Sequence, residues 1–123
     1  MFESVEKVVY INLAHRTDRR AQIEEELRKV FPEEKIVRYE AIRVRSYGAL
    51  GCSLSHLGAL ELAQREGWKN VLVVEDDMVW NDLEANYEQF EKLLGEPHDV
   101  IMLGGIFVEA TSARVHSAAG GHA

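Results

Sequence analysis

The sequence predicts an α/β domain with a mainly parallel sheet, on three observations. Short aliphatic runs such as Val71 to Val74 carry the β-branched residues that favour strands. Segments of 12 to 14 residues with helical periodicity or strong helix formers separate those runs. Glycine and proline stand at the joints, at Pro32, Gly67, Gly95 and Pro97. A helix between two strands returns the chain to the sheet in the same direction, so the alternation reads as consecutive βαβ units.

Taken in order, Lys7 to Leu13 is rich in β-branched residues, has no internal glycine or proline, and reads as the first strand. Thr17 is suited to cap a helix with Asp18 in its first turn. Ile23, Leu27, Val30 and Phe31 then share one face, up to an end near Phe31-Pro32. Lys35 to Ile42 alternates as a second strand, followed by a polar connection through Arg45, Ser46, Tyr47 and Gly48. Ser53 to Glu66 is a helix that Gly67 can close with a left-handed turn. Val71 to Val74 is aliphatic at every position, as in a strand covered on both faces, and reads as the most buried strand. Asn81 and Glu84 form a capping box for a third helix whose apolar stripe is Leu83, Tyr87, Phe90 and Leu94. Residues 99–108 read as a fourth strand, in which Gly104-Gly105 either bends the backbone or lets it approach a ligand closely. A last short strand is expected near Ala113 to Ser117.

With 123 residues, 46% of them hydrophobic, the chain suffices for one domain over residues 1–123 and leaves no room for a second. No apolar run is long enough to cross a bilayer, and the start lacks the layout of a secretory signal, so a cytoplasmic protein is expected. Cys52 is the sole cysteine, which rules out an internal disulfide and zinc patterns built on paired cysteines; it is expected to be a small buried residue. The net charge of −7 is spread along the chain, which argues against a nucleic-acid partner. Locally, HRTDRR at residues 15–20 is basic enough to hold an anion. A homo-oligomer remains open.

The third strand runs directly into Glu75, Asp76 and Asp77. Ligands of open parallel sheets collect beyond the strands' carboxyl ends, where this triplet and the arginines after the first strand both emerge. Three adjacent carboxylates repel one another, and a hard divalent cation relieves that repulsion. With no cysteine or paired histidine expected close by, Mn²⁺ or Mg²⁺ is favoured over zinc. On an extended segment residues two apart point the same way, which pairs Glu75 with Asp77 and turns Asp76 elsewhere. The plainer alternative is that the triplet only solvates a loop before Asp82.

Three blocks, VYINLAHRTDRR at Val9 to Arg20, GALGCSLSHLGAL at Gly48 to Leu60 and VLVVEDD at Val71 to Asp77, together resemble glycosyltransferase family 25. That family includes lipooligosaccharide-synthesising galactosyltransferases and the collagen galactosyltransferases. The resemblance implies a GT-A-type fold, a Rossmann-like α/β/α sandwich. It also implies transfer of a sugar, galactose or glucose, from a UDP-sugar to a hydroxyl of a glycan or protein acceptor, with inversion. On this likeness Asp77 and Glu75 are the metal ligands for Mn²⁺ or Mg²⁺. Asn12, Leu13, Arg16, Arg19, Ser55, His56 and Asp76 are then donor-binding residues, and the general base is unassigned. Arg16 and Arg19 suit phosphate, although Arg19 and Arg20 at a helix start also serve solubility, and His56 outside this block would read as a core-facing or capping residue. Relatives are longer and carry acceptor-binding residues in a further half, so the chain is expected to be truncated relative to them. The rival reading is a non-catalytic sugar-nucleotide-binding or assembly domain. A phospho-accepting receiver domain fits poorly, because the acidic strand would have to open the domain and no lysine follows Lys92.

Overall fold

The computed structural model describes residues 2–97, 100 and 101. In chain order the elements are β1 (Lys7–Asn12), α1 (Thr17–Arg28), a 3₁₀ turn (Glu33–Lys35), β2 (Ile36–Glu40), α2 (Gly48–Glu66), β3 (Val71–Glu75) and α3 (Leu83–Leu94). Val100 and Ile101 belong to no regular element; the rest of the expected fourth strand, with Gly104-Gly105, and the strand expected near Ala113 to Ser117 lie outside the described residues. The chain divides into two compact units after Val79. In the second, α3 buries Phe90 from the expected stripe.

In the first unit three parallel strands lie in the order β2-β1-β3. Tyr10 stands opposite Arg38 on β2 and Val74 on β3, and Ile11 stands opposite Tyr39 and Glu75. Burial follows that order. Central β1 carries Val8 and Val9 at 0% exposure and Tyr10 at 1%, whereas Val71 to Val74 of β3 are only half-buried. The expectation that Val71 to Val74 would be the most buried strand is therefore corrected: among the described residues β3 pairs with β1 alone, and position in the sheet outweighs aliphatic content.

Side chains alternate across a pleated sheet, so neighbouring register positions face opposite helices. The Tyr10 hydroxyl donates to Glu24 of α1, while Tyr39, one register position on, reaches Gly58 of α2. Tyr10, Arg38 and Asn12 thus share the α1 face, and Ile11, Tyr39 and Glu75 the α2 face. This is an α/β arrangement with a helix on each side of a parallel sheet.

Helix starts depart from the expectations. Arg16, not Thr17, is the N-cap of α1, and no side chain caps it, because Thr17 is already helical. At α3, Asp82 rather than Asn81 is the N-cap, in a left-handed conformation at φ 47°. Helix α2 begins at Gly48 instead of Ser53. At Gly51 the helix lies tight on the preceding segment: a Cβ there would stand 2.6 Å from the Ile42 carbonyl oxygen. Gly67 ends α2 at φ 74°, the left-handed turn expected of it.

Candidate functional site

The chain leaves β1 toward β2 on one side and returns through α2 to β3 on the other, so the strand order reverses between β1 and β3. A crevice at such a switch point is where open α/β sheets bind ligands. Asn12 ends β1 there, and Glu75 ends β3.

On the α1 side Asn12 is the hub. It is 1% exposed, and its amide Nδ2 donates to the Asp76 carboxylate at 2.9 Å and to the Arg16 carbonyl at 3.1 Å. Its Oδ1 accepts from Arg38 Nη2 at 3.1 Å and Nε at 3.2 Å. Both donors and both acceptor sites of the amide are thereby used, which is what burial of a polar group demands. Asn12 holds Asp76 in place and has no spare hydrogen bond for a ligand. Arg16 grips Asp18 through two bonds of 3.0 Å, and this hydrogen-bonded guanidinium holds the Asp18 carboxyl well below the usual carboxylate range. Arg19, Gln22, Glu25 and Glu26 of α1 line a cleft of ≈290 Å³ with Asp76 and Asp77. Four acids and one arginine line it, and one of the acids, Glu26, is paired with Lys29 at 2.9 Å. Leu13 is half-buried, and its carbonyl closes the turn that leads to α1 by accepting from Arg16 N at 3.0 Å.

On the α2 side a different set of groups meets. Cys52 and His56 are one helical turn apart on α2, and their ligand atoms lie within 4.8 Å of each other and of a Glu75 carboxylate oxygen. The Cys52 thiol donates to Glu75 Oε1 at 3.4 Å; partial desolvation by its neighbours, then that bond to a carboxylate, push its pKa up. Two expectations are corrected here. Cys52 is exposed rather than buried, and Glu75 does have a cysteine and a histidine beside it. Ser55, 2% exposed, accepts from Ile42 N and donates to the Gly51 carbonyl, both at 2.8 Å. Its hydroxyl clamps α2 to the connection that precedes it.

The acids are thus divided between the two faces. β3 ends at Glu75, and a turn closed by Met78 N on the Glu75 carbonyl at 3.1 Å follows at once. The alternation that would pair Glu75 with Asp77 stops where the strand stops. Glu75 is grouped with Cys52 and His56, and Asp77 lines the α1 cleft together with Asp76. Sequence reasoning missed Arg38 and the partnership of Cys52. Arg38 carries no local signal, being one charged residue on a short strand, whereas the Cys-x-x-x-His spacing was visible once α2 was allowed to start before Cys52. No protein-family model matches this chain, and neither a curated protein nor a solved structure matches it significantly.

Proposed function

We propose that this chain binds a UDP-sugar donor and belongs to a metal-dependent glycosyltransferase. It would move galactose or glucose to a hydroxyl of a glycan or protein acceptor, with inversion. The observation that carries this reading is the Asn12–Asp76 hydrogen bond of 2.9 Å, which ties the end of β1 to the acidic turn after β3 at the switch point. Two of the three sequence blocks that resemble glycosyltransferase family 25 therefore meet at one crevice, and the third, on α2, abuts it through Glu75.

The donor set fits a hard divalent ion: Asp76 and Asp77 offer only carboxylate oxygens, and Asp77 is exposed at the cleft. When bound, Mn²⁺ or Mg²⁺ supplies positive charge beside the leaving diphosphate, on which negative charge grows as the sugar bond breaks. Asn12 fixes Asp76 toward the crevice, so the carboxylate needs no reorganisation on binding. Arg19 offers its charge to a phosphate from the α1 wall. Arg16 is committed to Asp18 through two hydrogen bonds of 3.0 Å, and its backbone carbonyl accepts from the Asn12 amide that holds Asp76.

Calorimetric titration with UDP, with and without Mn²⁺, tests the reading. Binding should require the metal, Asp77→Asn should abolish that requirement together with most of the affinity, and Glu66→Gln on the far end of α2 should change neither. Metal-independent UDP binding, or none, overturns the proposal. Tight metal-dependent binding with no donor hydrolysis or sugar transfer would assign the chain a sugar-nucleotide-binding role without catalysis.

A further inference from the structure

We propose that Cys52, His56 and Glu75 form a second metal site, distinct from the acidic cleft and suited to a borderline-soft divalent ion such as Zn²⁺. The ligand atoms of all three lie within 4.8 Å of one another. Tetrahedral zinc with thiolate, imidazole and carboxylate ligands holds neighbouring ligand atoms about 3.5 Å apart, given bonds of roughly 2.0 to 2.3 Å. Cys52 Sγ and Glu75 Oε1 already stand at 3.4 Å, so one edge of the tetrahedron has its final length, and the imidazole lies within 4.8 Å of both.

The scaffold supports the site. Cys52 and His56 project from one face of α2 a single turn apart, and Glu75 is the last residue of β3, so all three sit on regular elements rather than on a loop. Gly51 and Ser55, each next to one of the helical ligands, fix the rotation of that turn: Gly51 by its contact with Ile42, and Ser55 by its two hydrogen bonds of 2.8 Å. A thiol and an imidazole select against Mg²⁺ and Mn²⁺ and in favour of zinc or cobalt. Three protein ligands leave a fourth position for water or a substrate oxygen, the pattern of an open zinc centre. On binding, the thiol proton that now lies between Cys52 and Glu75 is released to solvent, and sulfur and carboxylate both turn to the ion. The site does not rest on the donor reading, which uses Asp76 and Asp77 on the opposite face.

Co²⁺ added to the reduced full chain tests it, because Cys52 is the sole cysteine and any thiolate-to-cobalt charge-transfer band must arise from it. The band should appear at one equivalent and be displaced by Zn²⁺. His56→Ala and Glu75→Gln should each weaken the affinity by roughly 10- to 100-fold or more, and Asp77→Asn should leave it unchanged. Without any variant, Zn²⁺ should protect Cys52 of the native chain from a thiol reagent. A missing band, absent protection, or a band whose affinity ignores both His56→Ala and Glu75→Gln overturns the site. Repeating the UDP and Mn²⁺ titration on Cys52→Ser separates the two proposals: unchanged UDP binding leaves the donor cleft standing whatever becomes of the zinc site.

Discussion

Helix α1 meets the sheet through large side chains, Ile23 and Leu27, both fully buried, and through the hydroxyl of Tyr10 bound to Glu24. Helix α2 buries Gly51, Ser55, Ala59 and Ala63, a row of small residues spaced by four, while its Leu50, Leu57 and Leu60 are exposed. The first interface is filled by side-chain volume; on the second side Gly51 comes close to the backbone of Ile42 and Val44, and Gly58 to the Tyr39 side chain. At Gly51 close approach fixes the helix tightly, because an added Cβ collides with the main chain of Ile42. That is why α2 can present Cys52 and His56 to Glu75, whereas the α1 side relies on the hydrogen bonds of Asn12 to position Asp76.

The contrast can be broken at four points. Gly51→Ala should have the largest effect, a loss of about 2 to 3 kcal/mol in urea unfolding, since the new methyl would have to displace the Ile42 carbonyl, 2.6 Å from its position. A neutral result would mean that α2 is not set by close approach. Asn12→Ala should cost about 2 kcal/mol by the same measurement, because Arg38 and Asp76 lose their shared partner; it should also weaken metal-dependent UDP binding, which an effect on stability alone would not do. Ser55→Ala should cost about 1 kcal/mol, leaving Ile42 N without its acceptor, and should lower Zn²⁺ affinity while sparing the α1 cleft.

The smallest effect is confined to alkaline pH. Burial first, and then the hydrogen bond to Glu24, push the Tyr10 phenol up from 10.0 to about 12. The folded state therefore keeps a proton that the unfolded chain has lost, and stability should be intact below pH 10 and fall as pH rises from 10 toward 12. Ultraviolet phenolate titration alongside thermal melting checks this, and Tyr10→Phe should remove that share of the decline.

Local pattern carried the strands well. β1 and β3 lie within one residue of the runs read from the sequence, because β-branched runs and bounding turns are properties of a few neighbouring residues. Helix starts were less legible. Gly48 reads as part of a polar connection and the helix as starting at Ser53, yet α2 starts at Gly48, with Gly51 close against the backbone of Ile42 and Val44. Leu57 and Leu60 of α2 are exposed, since hydrophobicity does not say which face of a helix a neighbouring element will occupy. Of the candidate site, Asn12 and Asp76 were both singled out from the sequence, but not their mutual bond, which joins residues 64 positions apart.

The order of elements and their parallel α/β class were determined by the sequence itself, since each rests on periodicity and turn residues within a short window. Which way each acid faces was decided only in three dimensions. A turn directly after Glu75 sends Asp76 and Asp77 to the α1 face, while the pleat at Ile11 and Glu75 commits Glu75 to α2. No local rule separates those neighbours, because the place where a strand stops is set by its pairing with β1 and the group that a side chain meets there is supplied by a helix elsewhere in the chain.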